Sequence, residues 1–237
     1  MKSNASFFRF ASACFLAVFI PAIAAAFEGK VEMTMTSSGS AMPMTYFIKG
    51  THMRIEMAVP PDKHNKDGST FVSLMDLEKH ELTMLMPEEK MYMVHQISDE
   101  TVEKAKNKKA ETEFKATGRK EKIAGIEAEE YVGQSDKKLT EVWVTKELGE
   151  FMLANQGKGG KKGAQNSAWA KFAEQGGFFA LRVIQRAKEG APVDFQLEVS
   201  KVEKGSQADK LFVPPDDYKK FEMPSMGDMM KGMIPGH

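Results

Sequence analysis

The residues of this chain that invite a chemical reading are its methionines, 18 among 237 residues. Many recur in evenly spaced pairs: Met33/Met35, Met42/Met44, Met53/Met57, Met84/Met86 and Met91/Met93. Even spacing puts both members of a pair on one face of a strand. A thioether-lined face is apolar, unbranched and polarizable, which suits a surface that accepts varied apolar shapes. Met33, Met35, Met44, Ile55, Met57, Met84, Met86 and Met93 are the expected lining of such a cavity. The same pattern also describes an ordinary core under a helix. In a carrier both hold, because a helical lid and a ligand compete for one face.

A second cluster closes the sequence: Met223, Met226, Met229, Met230 and Met233, with His237 last. Thioethers are soft ligands that select Cu(I), so this tail is a candidate copper site. Pro224, Gly227, Gly232, Pro235 and Gly236 crowd the same segment. That composition equally describes a mobile tail or an amphipathic end-helix.

No other group of reactive side chains stands out. His52, His64, His80, His95 and His237 have no zinc spacing, and His-Glu-x-x-His is absent. They read as surface or strand-facing imidazoles. There is no Gly-x-Ser-x-Gly elbow. Carboxylates are scattered through polar faces, and nothing marks a glycosidase-like pair. The basic, glycine-rich run 157–163 lacks the Ser or Thr of a phosphate loop, and no strand leads into it. It reads as a solvated linker. The expectation is a protein that is not an enzyme and carries no cofactor. Lys+Arg and Asp+Glu are equal at 33 each, so the basic excess of a nucleic-acid binder is missing and no such partner is expected.

The N-terminus carries an address. Lys2 and Arg9 precede an apolar stretch over 10–23, broken by Pro21, and Ala24, Ala25 and Ala26 follow. This is the pattern of a secretory signal peptide cut after Ala26. The apolar stretch is shorter than the roughly 20 residues of a bilayer span. Cys14, the sole cysteine, lies inside that stretch, which continues beyond it, so it is not read as a lipidation site. Cleavage would remove it, leaving no disulfide, thiol nucleophile or thiolate metal site. The expected organisation is a leader over 1–26, one domain over 27–221 and a Met-rich tail over 222–237. The expected location is the periplasm, without an integral membrane segment once the leader is gone.

The elements that must position the methionines are mostly strands. Alternation with period two runs through 31–36, 42–48 and 53–57, with glycines at 39 and 50 between them. A polar loop fills 60–68. Strands follow over 71–77, 81–86 and 91–95, separated by reversals at 76–80 and 87–90. Hairpin after hairpin means antiparallel pairing. A polar helix is expected from Ser98 through 109. Strands resume over 114–123, 126–132 and 140–145. A helix is expected over 146–155 and a short one over 168–175. Two long strands, 178–186 and 193–202, close the pattern. The fold class is mainly β: a single strongly curved antiparallel sheet, an unclosed half-barrel with a helical lid.

Phe27-Glu28-Gly29, Tyr46-Phe47-Ile48-Lys49-Gly50 and Met53-Arg54-Ile55-Glu56 resemble the opening of a bacterial envelope family of unknown function, domain family 4412. The resemblance continues through Leu85-Met86-Pro87-Glu88-Glu89-Lys90-Met91-Tyr92 and Glu141-Val142-Trp143-Val144-Thr145. It ends at Leu211-Phe212-Val213-Pro214-Pro215-Asp216-Asp217-Tyr218. It covers most of the chain after the leader. That family resembles the periplasmic lipoprotein-carrier (LolA/LolB-like) half-barrel, which implies an apolar cavity under a helical lid. It brings no catalytic residues with it.

The resulting expectation is an exported, non-enzymatic protein that binds a lipid or the acyl chain of an acylated protein in the cell envelope. Two alternatives stand beside it. One is a Cu(I)-binding protein acting through the tail. The other is an envelope-stress or interaction module whose sheet edge meets an envelope protein partner.

Overall fold

The computed structural model describes residues 27–37, 39–59, 61, 68–96, 112–135, 138–149 and 168–222. The expected leader, the polar helix from Ser98, the run 157–163 and the tail from Met223 lie outside these residues.

Alternating side chains form strands here because burying one face of a pleat fixes its register. β1 (Glu28–Ser37), β2 (Ser40–Lys49), β3 (His52–Val59), β4 (Ser69–Asp76), β5 (Glu81–Met86) and β6 (Met91–Gln96) make an antiparallel meander. β7 (Phe114–Ile123), β8 (Ile126–Gln134), β9 (Leu139–Thr145), β10 (Phe179–Arg186) and β11 (Val193–Lys204) make a second. Helix α1 (Ala168–Gly176) precedes β10. β1 pairs with β11 and joins the two meanders. The short β12 (Lys219–Lys220) runs parallel to β6 and completes a 12-stranded sheet, open between β12 and β7. Of the helix expected over 146–155, Lys146–Gly149 instead turn away from β9, with Gly149 at φ +81°, and 150–155 lie outside the described residues. A left-handed glycine is a stop, not a helix start.

Four register shifts bend the sheet, at Glu32/Met33, Ala116/Lys120, Ala180/Arg182 and Gln185/Arg186. None falls in the β2–β6 pairings. Extra residues sharpen local twist, so curvature is concentrated at the joint and in the second meander. The Tyr46 and Phe179 rings meet edge-on at 6.0 Å, although β1 and β11 separate their strands.

α1 lies on the concave face of the second meander. Trp169, Ala170 and Ala173 are buried there. The Trp169 ring stacks on Phe195, and Phe172 stacks on Phe114 and tilts against Tyr131. One large core results, from Val31 and Met33 through Leu197 to Val142 and Trp169.

A methionine-lined face as the candidate functional site

Cross-strand register assembles the methionines into rows. Val199, Met33, Met44, Met57 and Phe71 stand abreast on β11, β1, β2, β3 and β4. The next row is Val31, Tyr46, Ile55, Ser73, Met84 and Met93, from β1 to β6. Leu197, Met35 and Met42 form a further short row, and Met86 faces Met91. All eight residues expected to line a cavity therefore share one face. It is the concave face, because Leu197 continues through Val183 and Val142 to Tyr131 under α1.

The rows are not uniform in depth. Met33, Met44 and Ile55 are each 2% exposed and Met57 7%, so they are core residues. Met35, Met84, Met86 and Met93 are half-buried, as are Met42 and Met91, which the sequence reading left out of the lining. Among the described residues, the face is thus sealed at Met33, Met44, Ile55 and Met57, and half-open at Met35 and Met42 and along β5 and β6. Two polar groups interrupt it. Burial pushes the Tyr46 phenol far above its ordinary range, holding it neutral. Ser73 is fully buried between Ile55 and Met84, and its Oγ makes no hydrogen bond.

The convex face carries features that alternation alone does not disclose. Val72, Leu74 and Leu85 form a second apolar cluster, packed by Tyr92 and Tyr218. The signal for it is the near-continuous apolar run of β4 and β5, which marks strands buried on both faces. Further along, Glu130 is wholly buried. It accepts hydrogen bonds from Arg119 Nε and Thr117 Oγ1, each at 2.6 Å, and a second one from Arg119 Nη2. Arg119 also lies over the Trp143 ring, 5.7 Å from its centroid. A buried carboxylate requires such pairing, and this one pins the β7 bulge. A shallow polar cleft of about 300 Å³ lies between Lys120, Glu129, Tyr131, Lys146 and Phe178. No cluster of three or more His, Cys, Asp or Glu side chains is placed to hold a metal among the described residues. No helix among them is long and apolar enough to cross a membrane.

Over the described residues these features define a mainly β protein: a single unclosed, curved, almost wholly antiparallel sheet with a methionine-rich concave face and helix α1 packed on it. The model of a domain of unknown function, DUF4412, matches residues 27–218, and the chain belongs to that family. No curated protein matches it. Among solved structures, PNGF-II in a C2 crystal form is similar with a TM-score of 0.46 and 15% identity, over 86% of this chain and 32% of that one. MucB in complex with MucA(peri) gives 0.42 and 9%, over 83% of this chain and 57% of that one. The MucA/MucB complex of Pseudomonas aeruginosa gives 0.42 and 9%, over 82% and 58%. The chain spans about a third of PNGF-II and less than three-fifths of MucB.

Proposed function

We propose that this protein is exported to the cell envelope and there binds an apolar ligand, a lipid or the acyl chain of an acylated protein, without catalysing a reaction. The observation that carries the reading is the concave face, which is core at Met33, Met44 and Met57 and becomes half-open at Met84, Met86 and Met93. A ligand extends the core at its open end. Burial supplies the affinity, at about 0.8 kcal/mol for each methylene removed from water. Methionine supplies the adaptability, since its unbranched side chain reshapes to an acyl chain better than a β-branched one. Export rests on the residues 1–26, with Phe27 as the first residue after cleavage.

Uptake of a fluorescent fatty-acyl probe tests this directly. The Met84→Asp/Met86→Asp variant places two carboxylates at the open end while leaving the sealed core untouched. Probe binding should fall at least tenfold, with far-UV circular dichroism unchanged. A folded double variant that takes up probe as well as the wild type refutes the reading.

A further inference from the structure

We propose that Met84, Met86, Met91 and Met93 form a Cu(I) site on the β5–β6 hairpin. Met84 is directly opposite Met93, and Met86 directly opposite Met91. The four thioethers thus occupy the corners of one rectangle on one face. Opposed Cβ atoms in such a pair lie about 5 Å apart, and same-face neighbours along a strand about 7 Å apart. Half the diagonal is then about 4 Å. Each sulfur sits two bonds beyond its Cβ, on a side chain with free rotation. Metal–sulfur bonds of about 2.3 Å therefore close on a point above the centre of the rectangle. All four residues are half-buried, so an ion reaches them while bulk water is partly excluded.

Residue choice supports a role for sulfur. Strands favour β-branched and aromatic side chains. Elsewhere this face mixes them with methionine: Val31, Tyr46, Ile55, Phe71 and Val199 stand beside Met33, Met44 and Met57. Four adjoining methionines at its open end add nothing to strand formation that leucine or isoleucine would not. What they add is soft donors, and an all-thioether set selects Cu(I) over zinc or the hard divalent cations. The site lies in the domain, apart from the methionines of the tail. It shares Met84, Met86 and Met93 with the apolar seat proposed above, and two substitution sets, to leucine and to aspartate, separate the two.

The experiment replaces all four residues with leucine in the full chain and titrates Cu(I) against a chromogenic chelator. Leucine keeps volume and apolarity, so the fold is retained. The quadruple variant should bind one Cu(I) equivalent fewer than the wild type, and X-ray absorption of the wild type should show sulfur neighbours that the variant loses at this site. Tail methionines are present in both proteins and cancel in the difference. Equal stoichiometry and affinity in the two proteins overturns the proposal, as does copper held only by nitrogen and oxygen. If the quadruple variant does not fold, Met84→Leu/Met93→Leu gives the same comparison with two donors removed. Loss of probe uptake in Met84→Asp/Met86→Asp, with copper stoichiometry equal across the leucine series, would sustain the lipid reading and defeat this one.

Discussion

At the scale of single residues, Ser73 is the side chain at odds with its surroundings. It lies wholly buried in a row of Tyr46, Ile55, Met84 and Met93, and its hydroxyl has no hydrogen-bond partner. An unsatisfied buried hydroxyl costs about 1–3 kcal/mol of desolvation that folding never recovers. Ser73→Ala removes that cost and leaves only a small void. The variant should therefore be more stable than the wild type by about 1 kcal/mol, seen as a higher urea midpoint at unchanged slope. A lower midpoint would show that the hydroxyl is satisfied in solution. Glu130 is the opposite case. It is equally buried, but Arg119 and Thr117 occupy its carboxylate oxygens, so its polarity is offset where that of Ser73 is not.

Among the elements, the C-terminal segment from Gly205 to Phe221 is the least regular and the most widely connected. It starts at β1, where Gly205 N donates to Glu28 O and Gln207 N to Glu28 Oε1. It crosses β2 and β3, where Lys49 donates to Asp209 and Arg54 Nη1 to Leu211 O. It covers the convex cluster with Tyr218 and pairs along β6 through Lys219 N to Lys90 O and Phe221 N to Tyr92 O. Two exposed ion pairs accompany it, and each holds its carboxyl below the ordinary value of 3.8: Lys49 acts on Asp209 and Lys90 on Asp217. A depressed carboxyl stabilises the folded state above its unfolded value. That contribution is lost as pH falls through the lower folded value. Acid should therefore loosen this segment before the sheet. In hydrogen exchange, the amides of Lys219 and Phe221 should lose protection below pH 3.8 while those of β2 and β3 keep theirs. Uniform protection down to about pH 3 would show that Tyr218 and the backbone pairing hold the segment without the charges. The long strands were legible from alternation, as at Val31, Met33 and Met35. α1 was legible from its short apolar pattern. β12 was not, because two residues carry no period and their partner strand lies far away in sequence. The cover over Val72 and Leu74 went unread for a related reason: a run apolar on both faces says that something packs there, not what.

At the largest scale, the described residues form two meanders and one joint. Within each meander, strands pair with sequence neighbours, so the contacts are local and form readily. The β1–β11 joint brings together residues from opposite ends of the domain, and the concave row crosses it from Met33 to Val199 and from Met35 to Leu197. No local pattern announced that pairing, since alternation fixes which face a strand buries but not which strand lies beside it. Gly29 shows how closely the two halves meet. It faces Lys204, and a Cβ there would stand 2.3 Å from the Glu203 carbonyl oxygen and 2.7 Å from the Phe27 ring. The carbonyl belongs to a paired backbone and cannot step aside as a flexible side chain would. Gly29→Ala should therefore cost about 1–3 kcal/mol through overpacking. Gly205→Ala is the matched control. It lies just past the end of β11 with no atom within 4 Å of its would-be Cβ, and it should be neutral or gain about 0.4–1 kcal/mol from a less flexible unfolded chain. Thermal melts of the two variants decide the matter. Equal melting temperatures would mean that β1 and β11 yield to an added methyl group. A loss confined to Gly29→Ala would place the stability of the concave face in the contact between the chain's two ends.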